Sequence, residues 1–206
     1  MPAQALEGFA TDARALKGGK FVAVDSDPSG AALTLSHHLA GNETPAPFRD
    51  DLASGAALKW AADPERGRWL KGARNVYNDH FDVDGFLAAW VVLNPDEALE
   101  LKDEVLAAAA AGDFDEWTSE RAVKFAILGE WVDDPKFSRV AKDALGGRVT
   151  GRGDAMYRAV MEELPELLRH PERLEELWRR PFDELRGELA LFDSGRARVS
   201  NRRAAH

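Results

Sequence analysis

Cysteine is absent from the 206-residue chain. That excludes disulfides, thiolate zinc sites, iron–sulfur clusters and cysteine nucleophiles, so any metal must be held by histidine, carboxylate, amide or backbone oxygen. No run of about 18 apolar residues occurs, and the opening MPAQALEGFATDARALKGGK has no basic stretch followed by an apolar one. Neither a membrane span nor a secretory leader is expected, and the expected compartment is the cytoplasm. Basic residues are in deficit, 27 Lys and Arg against 36 Asp and Glu, for a net charge of −9. Such a surface repels duplex nucleic acid and anionic lipid, and a phosphate ligand would need a local cation or metal. The 17 Gly and 10 Pro are scattered without a repeat, which removes low-complexity and solenoid architectures. What is plentiful is apolar material, 45% of residues, enough to fill a core without covalent staples.

The apolar pattern changes character along the chain. Up to about residue 94, short β-type runs alternate with helical stretches; from 95 to 195 the pattern is almost wholly helical. The fold class expected is therefore α/β, a small sheet with helices and a strand-end metal site, followed by a mainly α-helical half packed on it. Residues 196–206 form a basic tail expected to be disordered. Phe21–Val24 and Ala32–Leu35 read as strands. The turn residues Asp27, Pro28 and Gly30 between them, and a spacing too short for a helical crossover, predict a hairpin. That pairing leaves Asp25 an unpromising ligand. Helices are expected over 50–60, 86–93, 96–111 (broken at Gly112), 120–131, 136–145, 154–168 and 171–192, with a strand over Asn75–Asn78.

The candidate chemistry gathers at strand ends, where loops present side chains into a crevice while the sheet holds them still. In His80-Phe81-Asp82-Val83-Asp84 the polar groups recur at every second residue. An extended backbone aims all three to one face and buries the apolar pair on the other. Two close carboxylates repel unless a cation lies between them, and an imidazole suits manganese, iron or zinc better than calcium. Gly85 permits a tight turn into the apolar helix that follows. His37, beside His38, lies at another strand end; Asp113, and Asp51 in competition with Asp50, are further candidate ligands, each with an alternative role as a helix cap. An EF-hand is excluded, because a loop counted from His80 reaches Val91 where a Glu is required.

The His-x-Asp-x-Asp-Gly element with a helix behind it resembles the first motif of the DHH phosphoesterase superfamily, which includes RecJ-type exonucleases and manganese-dependent pyrophosphatases. Ser36-His37-His38, Pro45 and Asp50 to Ser54 resemble that superfamily's His-His series, in reversed order and with Ser36 where an acid is expected. Over most of its length the chain is similar to an uncharacterised bacterial family with Ser-His-Trp-x-Gly-Asn, Asn-His-Phe-Asp-x-Asp-Gly and Ala-Gly-Asp-Phe motifs. Here these appear at 36–42, 79–85 and 111–114, with His38 in place of Trp.

The superfamily resemblance implies a metal-dependent hydrolase of the phosphoesterase type acting on a small phosphorylated molecule. His80, Asp82, Asp84, Asp113 and Asp51 would hold one or two divalent ions, Mn or Mg, with His37, Asp82 and Asp84 in catalytic roles. Two alternatives stay open: a metal- or ligand-binding protein without turnover, and a haloacid-dehalogenase-like phosphatase using Asp82 of Asp82-Val83-Asp84-Gly85 as nucleophile. Oligomeric state leaves no mark in the sequence.

Overall fold

Runs only three or four residues long, mostly apolar, build the sheet. In the computed structural model, which describes residues 6, 8–11, 16, 19–38, 43–80, 82–130 and 154–197, these runs are β1 (Gly8–Ala10), β2 (Phe21–Val24), β3 (Leu33–Leu35) and β4 (Asn75–Tyr77). They pair in the order β1-β4-β2-β3, all parallel. Strands of a parallel sheet are covered on both faces and so read as unbroken apolar segments; all four residues of β2 are buried. Alternation still sorts the side chains. Phe9, Val22, Val24 and Val76 join the main core, while Ala10, Phe21, Ala23 and Tyr77 form a smaller cluster.

The expected hairpin does not form. β2 and β3 run parallel, with Val22 opposite Leu33 and Val24 opposite Leu35. A crossover needs a helix only when long strands must be retraced; a strand of four residues spans roughly 13 Å at about 3.3 Å per residue, which segment 25–32 covers without one. Two residues with positive φ bend that segment, Asp25 at 45° and Gly30 at 89°. Backbone bonds from Asp25 N to Leu35 O and from Ala32 N to Phe21 O pin its two ends.

Helices α1 (Ala53–Ala62) and α3 (Val83–Leu93) pack against each other and against the sheet, and α3 is buried from Val83 to Val92. Between them lie α2 (Arg66–Trp69) and β4. The helix expected over 96–111 is two helices, α4 (Pro95–Glu100) and α5 (Lys102–Asp113), because Leu101 leaves helical geometry to enter the core. The described residues that follow are mainly helical: α6 (Glu120–Glu130), α7 (Asp154–Arg169) and α8 (Glu175–Asp193), the last preceded by a 3-10 turn over Pro171–Leu174. The helix expected over 136–145, most of the basic tail, Phe81 and residues 39–42 lie outside the described residues. None of the described helices is long and apolar enough to cross a membrane.

Gly112 lies inside α5 rather than ending a helix. A Cβ there would stand 2.5 Å from Val83 Cβ, so the bare backbone of α5 admits the start of α3. Gly129 of α6 meets the same side chain, at 2.5 Å from Val83 Cγ2. Gly112→Ala is expected to cost about 1–3 kcal/mol by overpacking. In a double-mutant cycle with Val83→Gly, which removes the Cβ that the new methyl would strike, the two losses should be less than additive by chemical denaturation; an additive loss would refute the contact as its cause.

Candidate metal centre

Parallel pairing puts the ends of β2, β3 and β4 on one edge, and the chemistry collects there. Asp25 follows β2 directly, His37 and His38 follow β3 after Ser36, and Asn78 to Asp82 lead from β4 into α3. Asp25 is fully buried. His37 Nε2 and His38 Nε2 approach its Oδ1 at 3.1 and 3.4 Å, and His80 Nε2 approaches its Oδ2 at 3.2 Å. Neither carboxyl oxygen completes a well-directed hydrogen bond among the described residues. Burial, then the neighbouring charge of Asp82, with smaller contributions from Asp84 and Asp113, pushes this carboxyl up to about 10.

Two of the three imidazoles, those of His80 and His37, have an acid behind them. Asp79 Oδ1 accepts from His80 Nδ1 at 2.8 Å, which turns Nε2 toward Asp25 and toward Asp82 Oδ2, 2.8 Å away. Burial lowers the affinity of His80 for a proton, but the hydrogen bond to Asp79 and the charge of Asp82 outweigh it and raise the pKa. Asp113 Oδ2 stands 3.8 Å from His37 Nδ1, on the opposite side of the ring from Asp25. An acid behind a histidine that presents its other nitrogen is the usual support of a metal-ligating imidazole. His37 and His38 rings lie 4.6 Å apart, and His38 and His80 rings 6.1 Å.

The two carboxylates of the Asp-x-Asp motif do different work. Asp82 is extended and caps its own helix, accepting from Gly85 N at 2.6 Å. Asp84 is already in the first turn of α3, so the fully extended run expected over 80–84 ends at Asp82. Its side chain reaches the start of α1, accepting from Ala53 N at 2.6 Å and Ser54 N at 2.9 Å. Burial raises its pKa against the opposing effect of Ser54 and Ala53. Gly85 makes no turn. It is helical, and a Cβ there would meet Asn78 Nδ2 at 2.2 Å and Asp25 Oδ2 at 3.0 Å; the glycine lets strand end and helix start close on one another.

Among the described residues, two sets of three have ligand atoms close enough for one ion: Asp25, His38 and His80, and Asp25, His37 and Asp84. The separations of Asp25 from the imidazole nitrogens, 3.1 to 3.4 Å, are those between neighbouring ligands around a cation bound at about 2.0–2.2 Å. The orphaned oxygens of Asp25 fit such an ion.

Of the residues singled out in the sequence, His37, His80, Asp82, Asp84 and Asp113 come together, Asp113 behind His37 rather than facing Asp25. Asp51 is exposed and belongs to neither set. Its neighbour Asp50 binds Lys59 Nζ at 2.8 Å and accepts from Leu52 N. The sequence pattern points to neither Asp25 nor Asp79, and brings in His38 only as the neighbour of His37. The signal for Asp25 was its place directly after an all-apolar strand, which the hairpin reading discounted.

No curated protein and no solved structure matches the chain. A family model does, over residues 8–205, and by that match the chain belongs to the family described as "Family of unknown function (DUF6687)".

Proposed function

We propose that the protein is a metal-dependent hydrolase of the phosphoesterase type, acting on a small phosphorylated molecule. The carrying observation is Asp25: a carboxyl sealed from water, neither oxygen of which completes a well-directed hydrogen bond among the described residues, set among three imidazoles and three further acids. Folds seldom leave a buried carboxyl in that state unless a cation completes it. Asp25, His37, His38, His80 and Asp84 would hold one or two divalent ions, with Asp82 beside them. Three imidazoles in the set favour Mn over Mg, which prefers oxygen ligands. Such an ion lowers the pKa of a water and offsets charge developing on a phosphoryl group.

The resemblance to the DHH superfamily supports this class of chemistry. The acid absent at Ser36 does not count against it. Ser36 is committed to structure, its amide donating to Thr44 Oγ1 and its Oγ accepting from His38 N, while Asp25 brings a carboxylate to the same histidines from the adjacent strand. A dehalogenase-type nucleophile is supported less well. Asp82 stands five residues beyond β4, with Oδ1 held by Gly85 and Oδ2 by His80. The acidic surface supports a small substrate rather than duplex DNA.

The test is metal content after manganese loading, together with hydrolysis of p-nitrophenyl phosphate, its diester and pyrophosphate. Stoichiometric metal and turnover are expected, with Asp82→Asn lowering kcat by about 100-fold or more at unchanged circular dichroism. Metal without turnover on any of these points to the binding protein, a covalent aspartyl phosphate to the dehalogenase type. Absence of metal overturns all three metal readings.

A further inference from the structure

The two ligand sets that share Asp25 are not equivalent. The inner one, Asp25, His37 and Asp84, joins two fully buried carboxylates to one imidazole, itself 17% exposed. The outer one, Asp25, His38 and His80, joins one carboxylate to two imidazoles that are 48% and 43% exposed. Asp84 is immobilised by two amides of α1, and His80 is backed at 2.8 Å by Asp79, which raises its basicity as a ligand. Asp25 offers Oδ1 toward His37 and His38 and Oδ2 toward His80, so both of its oxygens are faced by imidazole nitrogens and the one carboxylate is shared by the two sets.

Resting on the reading that this cluster binds metal, we infer that it is a mixed-metal centre. The inner position selects a hard cation such as Mn²⁺ or Mg²⁺, and the outer position selects a borderline one such as Zn²⁺. Carboxylate and water suit manganese and magnesium, and imidazole suits zinc, so the composition of each set decides its occupant. Zinc in excess would enter both positions, because its affinity for most nitrogen and oxygen sites exceeds that of manganese. The selectivity is therefore expressed when zinc is limiting. Exposure adds a second distinction: the outer ion exchanges with solvent more readily than the inner one.

The full chain, stripped with a chelator, is offered one equivalent each of Zn²⁺ and Mn²⁺. Elemental analysis, the manganese EPR signal and anomalous diffraction at the two absorption edges then report which ion lies where. One zinc beside His38 and His80 and one manganese beside His37 and Asp84 are expected. His38→Ala, a change at an exposed side chain, should weaken zinc by about tenfold or more and leave manganese within about twofold; His37→Ala should do the converse. Zinc at the inner position, the same metal at both, or equal weakening of both metals in each variant overturns the inference while leaving the metal-dependent reading standing. A chain that binds neither ion overturns both.

Discussion

Asp25→Asn is expected to remove metal binding and, at pH 8, to make the metal-free protein more stable than the wild type. The folded state holds a proton on Asp25 with a pKa near 10, whereas the unfolded chain releases it near the ordinary 3.8. Across neutral pH the native state therefore binds more protons than the denatured one, and stability falls as pH rises. Asp84 and His80 are also raised and act in the same direction, their contributions being lost as pH climbs through their folded values. One such proton changes stability by at most about 1.4 kcal/mol per pH unit, or about 3–6 °C in a chain of this length. Melting curves of metal-free protein from pH 5 to 8 should slope downward, and more gently in Asp25→Asn. Equal slopes would refute a buried, proton-hungry Asp25. Metal affinity should fall by more than about 100-fold, beyond the usual effect of losing an outer-shell partner. A residue whose removal stabilises the empty fold is kept for what it binds.

Asp84→Ala should have the largest cost to the fold, and Asp82→Ala a small one, although the two residues are separated by Val83 alone. Removing Asp84 takes away the acceptor that the amides of the fully buried Ala53 and Ser54 use. Each such orphan costs about 1–3 kcal/mol, so a loss of about 2–6 kcal/mol is expected, concentrated where α1 meets α3. Asp82 is more exposed and supplies one cap bond, worth about 1 kcal/mol. Urea denaturation of both variants without metal distinguishes them; equal losses would mean that Asp84 does not hold α1.

Local pattern made much of this legible. The strands at 21–24 and 75–77, the buried helix after Asp-x-Asp-Gly and the stop at Asp63-Pro64 follow from apolar period and turn chemistry. Strand direction did not follow, because the rule that parallel neighbours need a long crossover assumes strands of ordinary length, and β2 and β3 have four and three residues. That single error hid Asp25. With β3 antiparallel the end of β2 lies far from His37; with β3 parallel it lies beside it. Asp84 shows the other limit. Its two-residue spacing from Asp82 predicts a shared face in a strand, but a helix that begins at Val83 sends it to a partner 30 residues away in sequence, which no period reveals.

Val83 ties together the two halves into which the apolar pattern divides the chain. Its neighbours on either side are the motif's two acids, and its own side chain fills the notch left by Gly112 and Gly129. The C-terminal helices are thus a mould for the peptide that carries the acids, as well as a wall beside it. Cutting the chain at residue 94 would strip that mould away and bare Val83, with every ligand still encoded but the peptide between the two acids held from the α1 side alone.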